Sequence, residues 1–201
     1  MHIQDLENVA FGTPLSGGFY AGQFQVGDEL YALIVSPKQE GELEEAEWGE
    51  MGAAISEAKS CFDGLTNTRA MAESGSDLAR WMLALEINGQ SDWYLPSRDE
   101  LEICYRNLKP TDQENFCTFR DGDNPSSSPV GYPYSSDTPA KTLSDGFQGG
   151  GEEAFAPRLY WASTQYSSGS AWGQNFGGGI QNLILKDDEL RARAVRRVLI
   201  K

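Results

Sequence analysis

The chain has 201 residues, enough for one ample domain or two small ones, and its 39% hydrophobic and 11% aromatic content belongs to an ordered globule rather than a disordered chain. A formal net charge of -14 opposes a phosphate backbone, and the one basic cluster, Arg191, Arg193, Arg196 and Arg197, comes near the end, which argues against nucleic acid. No apolar run is long enough to span a bilayer, and the first eight residues carry neither the basic nor the apolar region of a secretory signal, so neither membrane insertion nor export is expected.

Residues 1 to 17 end in G-T-P-L-S-G-G and lead into the fold. Two β-rich runs then flank Gly27-Asp28, which predicts a hairpin with strands over Phe19 to Val26 and Glu29 to Ser36. Leu30 to Val35 is apolar on both faces and reads as a central strand. Five Glu between Glu40 and Glu47 precede Trp48, Met51, Ile55 and Ala58, whose steps of three and four predict a helix with its acidic end at the positive pole of the dipole. The Glu run reads as a solvated face rather than a metal site. Asp63-Gly64 turns the chain, Leu65 to Thr68 reads as a short extended piece, and Ser74-Gly75-Ser76 opens a helix with the stripe Leu78, Trp81, Met82 and Leu85, closed by Asn88-Gly89.

Asp92 to Leu108 holds the clearest local signal. Ser97 and Glu100 have the spacing of a capping box, Leu101, Cys104, Tyr105 and Leu108 give one apolar stripe, and Lys109-Pro110 supplies a basic last turn and a stop. Residues 110 to 157 lose periodicity; Phe119, Tyr132, Tyr134 and Phe147 give that stretch something to pack with, so an ordered long loop is expected. Asp121, Asp123 and Asn124 offer the oxygens that calcium prefers but lack the downstream bidentate Glu of an EF-hand, and an ordinary Asx-rich turn is the alternative. β texture returns with Leu159 to Thr164, then Trp172, Gln174 and Phe176 in alternation, then Ile180 to Lys186, and a closing strand over 194 to 200 whose arginines pair with the acidic surplus or lie along a sheet edge.

Cys61, Cys104 and Cys117 have no metal-type spacing, which leaves buried thiols as the simple reading and a Cys104 to Cys117 bridge as the alternative. His2 is the one histidine and sits in the terminal segment, so no imidazole base is available for Ser/His or Cys/His chemistry.

Five pieces, D-W-Y-L-P-S-R-D-E-L (Asp92 to Leu101), Y-R-N-L-K-P-T (Tyr105 to Thr111), Y-W-A-S-T-Q-Y (Tyr160 to Tyr166), A-W-G-Q-N-F (Ala171 to Phe176) and R-A-R-A-V-R-R-V (Arg191 to Val198), occur in that order. Together they resemble the Lcl C-terminal domain family, a domain of unknown function met in phage, prophage and bacterial surface proteins. The resemblance implies an α+β, C-type-lectin-like fold over 41–201 with two or three helices, a small antiparallel sheet and a long display loop over 110–157; residues 1–40 lie outside the resemblance and are expected to form an N-terminal hairpin extension packed on that domain. It implies that Trp93, Leu95, Leu101, Trp161, Trp172 and Phe176 are scaffold.

The function expected from it is a non-catalytic recognition module. The resemblance implies a virion component, a tail or fibre tip assembled in the host cytoplasm that binds a host-surface glycan or protein, sits beside other virion subunits and forms a homo-oligomer such as a trimer. Tyr132, Tyr134, Gln165, Tyr166, Gln174, Asn175 and Gln181 are the candidate contacts, because aromatic faces and planar amides suit sugars. Asp121, Asp123 and Asn124 are the candidate metal residues. No cofactor is expected beyond calcium there, and the E-P-N, Q-P-D and W-N-D tripeptides of calcium-binding lectins are absent. A structural assembly protein without a small ligand is the alternative. A formylglycine-generating oxidase is disfavoured, because the last cysteine, Cys117, precedes the strands that would carry its thiol pair.

Overall fold

The computed structural model describes residue 6, residues 8–118 and residues 121–201; His2 and Phe119 lie outside them. In chain order the strands are β1 (Pro14–Leu15), β2 (Gly18–Val26), β3 (Glu29–Val35), β4 (Glu42–Ala46), β5 (Ser127–Ser128), β6 (Leu159–Gln165), β7 (Ser170–Asn175), β8 (Gln181–Leu185), β9 (Leu190–Arg193) and β10 (Val195–Leu199). The helices are α1 (Lys38–Gly41), α2 (Gly64–Glu73), α3 (Asp77–Leu83) and α4 (Arg98–Leu108), with a 3-10 turn at Asp145–Phe147.

The hairpin turns at Gly27, whose φ of 61° suits glycine, and β3 is central as its two-faced apolar run predicts: β2 pairs on one side and β10 on the other. This first sheet has the order β1-β2-β3-β10, with β5 added on β2, and every pairing in it is antiparallel. The second sheet has the order β4-β9-β6-β7-β8 and is mixed, because β6 and β9 run parallel. The expected lectin-like arrangement of two or three helices on one small antiparallel sheet is therefore replaced by four helices and two five-stranded sheets. The difference arises because the closing strand joins the hairpin, and because strands as short as β1 and β5 hold too few residues to show a period.

Two local readings also change. Residues 48 to 58 form no helix; Trp48, Ile55 and Ala58 are buried from irregular backbone, while the acidic run before them forms β4. Leu65 to Thr68 is helical, since the Asp63 side chain accepts from Thr66 N at 3.1 Å and caps α2. Asn88 and Gly89 both have positive φ, 52° and 73°, and turn a two-residue loop between bridged Ile87 and Gln90 rather than ending α3.

Two apolar clusters fill the interior. One gathers Trp48, Trp93, Trp161, Met71 and Met82, and the other gathers Phe24, Tyr94, Tyr105, Phe155, Tyr160 and Phe176. In the second, the Phe155 and Phe176 rings stack with centroids 4.1 Å apart. The C-terminal arginines tie the layers together. Arg191 bonds Glu42 at 2.8 Å, Arg193 bonds Glu153 at 2.6 Å, Arg197 bonds Asp63 at 2.9 Å, and Arg196 grips both Asp92 oxygens at 2.6 and 2.9 Å.

α4 begins with the capping box the sequence announces. Ser97 Oγ accepts from Glu100 N at 3.4 Å, and Glu100 Oε2 accepts from Ser97 N at 2.7 Å. Glu100 does more than cap: the same oxygen accepts from Gly64 N at 3.0 Å, and its other oxygen takes the Tyr94 hydroxyl at 2.5 Å. The start of α2, the segment entering α4 and α4 itself are joined at one buried carboxylate.

Candidate functional site

α4 packs on β2 across Gly22, where the strand bulges and φ is 152°. A side chain at Gly22 would meet the Ile103 methyl, so glycine allows the helix this approach. The charged residues of α4 on this flank point inward and hold the long loop. Glu102, fully buried, accepts from Asn124 Nδ2 at 2.6 Å, from the Tyr134 hydroxyl at 2.8 Å and from Arg106 Nε at 3.0 Å. Burial raises the Glu102 pKa, and the Arg106 charge together with the Asn124 and Tyr134 hydrogen bonds pulls it back. Arg106 then donates to the carbonyls of Gly122 at 2.5 Å and Tyr132 at 2.9 Å.

One turn on, the buried Lys109 ammonium donates to Gln113 O at 2.5 Å, Asn115 Oδ1 at 2.8 Å and Pro139 O at 3.3 Å. Burial lowers its pKa. Residues 113–118 and 121–139 are thus fixed from beneath by charge-assisted hydrogen bonds, as an irregular segment in a packed domain requires.

This anchoring consumes several side chains that the sequence marks as contacts. Tyr134 is buried between Glu102 and Gln174, whose Nε2 donates to its hydroxyl at 3.0 Å. Gln165 is buried, bonding Ile55 N and O at 3.0 Å each and accepting from Lys186 Nζ at 2.7 Å. Asn175 Oδ1 accepts from Gly177 N at 2.7 Å and holds the glycine turn. Gln181 Oε1 accepts from Arg98 at 2.7 and 2.9 Å, and Arg98 lies over Trp172 at 4.6 Å. Tyr132 and Tyr166 remain exposed, Tyr166 with its ring edge to Trp172 at 6.0 Å. Among the scaffold residues, Trp93, Leu95, Leu101, Trp161 and Phe176 are buried, while Trp172 is half-buried beneath Arg98.

The candidate metal residues act as loop pins. Asn124 Nδ2 donates to Asp99 O and Glu102, and its Oδ1 accepts from Ser126 N and Ser127 N. Asp121 takes the Thr118 hydroxyl at 2.6 Å and Gln181 N at 3.2 Å, covering the start of the open edge of β8. Asp123 is half-buried beside them. Among the described residues, no group of three or more His, Cys, Asp or Glu is placed to hold a metal ion. Cys104 is buried, its thiol pKa pushed up by burial, and Cys117 is exposed, with no bridge between them.

Two adjoining cavities open where α4 ends. One, of about 640 Å³, lies between residues 9–14 and residues 140–144. The other, of about 530 Å³, is bounded by Tyr20, Gln23, Ile103, Ser127 and Ser128. They share Phe11, Arg106 and Asn107 and form one cleft at the foot of the long loop. The Phe11 ring stacks on Tyr20 with centroids 5.7 Å apart and an interplanar angle of 28°, and remains 43% exposed. Asn107 Nδ2 donates to Ala21 O at 2.7 Å, which fixes the amide in the floor. Leu143, 94% exposed, stands at the rim.

An aromatic face with amides and hydroxyls converging on a concave surface binds small hydroxyl-rich ligands by stacking and directed hydrogen bonds. Phe11, Gln23, Asn107 and Leu143 were not marked by the sequence. They come from three distant segments and share no motif; the exposed aromatic in the unpatterned lead-in, Phe11, was the one signal available.

Fold and site together define an α+β domain with an aromatic-walled cleft braced by its central helix. The chain matches no protein-family model and no curated protein. Among the described residues no helix is long and apolar enough to cross a membrane.

Proposed function

We propose that the chain is a non-catalytic recognition module that binds a surface glycan in the cleft at the foot of the long loop. The observation that carries this reading is the stacked Phe11–Tyr20 pair opening onto the amides of Gln23 and Asn107 and the hydroxyl of Ser128. The buried ion pairs and hydrogen bonds of α4 support it, because they hold one wall rigid and so reduce the ordering entropy that binding must overcome. The resemblance of five sequence pieces to the Lcl C-terminal domain family suggests the setting, a phage or prophage particle that meets a host surface.

The test is calorimetric titration of the purified chain with host-surface polysaccharide fragments. Phe11→Ala is expected to weaken binding about tenfold while the fold persists, since Phe11 is largely outside the core. Unchanged affinity in Phe11→Ala would remove the cleft as the site.

A further inference from the structure

We propose that the ligand of this cleft is a singly charged acidic saccharide, one carrying a carboxylate as a uronic acid unit does, with Lys141 as its charge partner; this rests on the glycan reading above. The cleft departs from the charge character of its own chain. Asp and Glu make up 30 of the 201 residues, so twenty residues taken at that frequency would include about three. The two cavities are lined by twenty described residues, and none is acidic. Two other clefts differ in this respect, while a third, beside β1, has no charged lining residue of either sign. The hollow beside α3 is lined by Glu47, Glu50, Asp77 and Glu189, and the one beside β9 by Glu44, Glu45 and Glu189 together with Arg158 and Arg191.

Arg106 and Lys141 are the cations lining the cleft. Arg106 is already engaged by Glu102 and two loop carbonyls, which leaves it little charge to offer a ligand. Lys141 is exposed at the rim on fixed backbone: the next residue, Thr142, donates its N–H to Lys109 O at 2.9 Å and accepts from Gln148 Nε2 at 3.2 Å. One lysine complements one negative charge. A polysulfated or multiply phosphorylated ligand would meet the field of a chain with net charge -14. The ring of such a saccharide would lie on Phe11, with its carboxylate toward Lys141 and its hydroxyls toward Thr13, Asn107 and Ser144.

The test compares oligosaccharides that carry a single galacturonate or glucuronate unit with neutral counterparts in which that carboxylate is a hydroxymethyl group, titrated calorimetrically at low salt into the full chain and into its Lys141→Ala and Phe11→Ala variants. The expected result is a preference of about tenfold for an acidic oligomer over its neutral twin. That preference disappears in Lys141→Ala, while Phe11→Ala weakens both. Equal binding of acid and neutral oligomers, still weakened by Phe11→Ala, would overturn the acidic assignment and leave the glycan reading standing. A preference that survives Lys141→Ala would also overturn it. Failure of all four oligomers to bind the unmodified chain would overturn both readings.

Discussion

Glu102 and Asn124 lie 22 residues apart in sequence and meet at 2.6 Å, the amide of the loop residue donating to a fully buried carboxylate on the central helix. Around this contact the long loop ceases to be a free display element. Tyr134 and Arg106 complete the Glu102 shell, and Asn124 closes the adjoining turn through Ser126 N and Ser127 N.

Asn124→Ala is expected to lower stability by about 1–3 kcal/mol, because it removes one donor to a buried carboxylate and orphans two backbone N–H groups. Urea denaturation measures it. A loss under 0.5 kcal/mol would mean that the loop is not anchored here.

Lys109 anchors Gln113, Asn115 and Pro139, so Lys109→Ala should release the segments around them before the rest of the chain. Hydrogen exchange is the readout: amide protection at Asn115 and Thr138 should fall by about tenfold or more while that of β3 stays as it was. Uniform loss across the chain would assign Lys109 a global role instead.

Burial raises the Glu100 pKa from 4.5 to about 7, against the hydrogen bonds from Tyr94 and Ser97 that favour its charge. Between those two values the folded chain retains a proton that the unfolded chain has released. The contribution of Glu100 is therefore full on the acid side of about 4.5 and is lost as pH rises through about 7, on the order of 3 kcal/mol in all. Glu100→Gln does not titrate, so the stability difference between the native chain and this variant, measured by denaturation at pH 4.5, 6 and 8, should move against the native chain as pH rises. A pH-independent difference would show that the carboxylate has an ordinary affinity for its proton.

Gly22→Ala is expected to cost about 1–3 kcal/mol, since an added methyl meets Ile103 at a φ that L residues rarely adopt. Because Gly22 also lines the cleft, the same variant should bind ligand less well at temperatures where it remains folded. Thermal denaturation and titration of the one sample separate the two effects.

How far the fold was legible depends on how local its causes are. The capping box of Ser97 and Glu100 and the Gly27 turn are decided within a few residues and appear where the sequence puts them, and Trp172 and Gln174 lie on one strand as expected, although β7 ends at Asn175, before Phe176. The steps between Trp48, Met51, Ile55 and Ala58 mimic a helix, yet Met51 is exposed, and the positive φ of Gly49 and Gly52 keeps the segment irregular. Leu65-Thr66-Asn67-Thr68 looks extended by its threonines, but the Asp63 cap and burial of Asn67 and Thr68 make it helical. The pairing of β10 with β3 joins residues 160 to 168 apart, beyond the reach of periodicity.

The site was less legible for a related reason. Planar amides and tyrosines suit a ligand and a buried hydrogen-bond network equally well, and Tyr134, Gln165 and Gln174 belong to the network. The inward turn of Glu102, Arg106 and Lys109 is likewise invisible in an amphipathic pattern, where charge marks the solvent face. Phe11, Gln23, Asn107 and Lys141 become neighbours only once the loop is pinned.

The most direct test of the cleft as the recognition site is amide chemical-shift mapping of the full chain titrated with the glycan that binds it. The account predicts shifts at Phe11, Thr13, Gln23, Asn107 and Leu143, with β8 unmoved. Shifts centred on Tyr166, Leu183 and Leu185, another set of exposed apolar side chains, with the cleft silent, would contradict it.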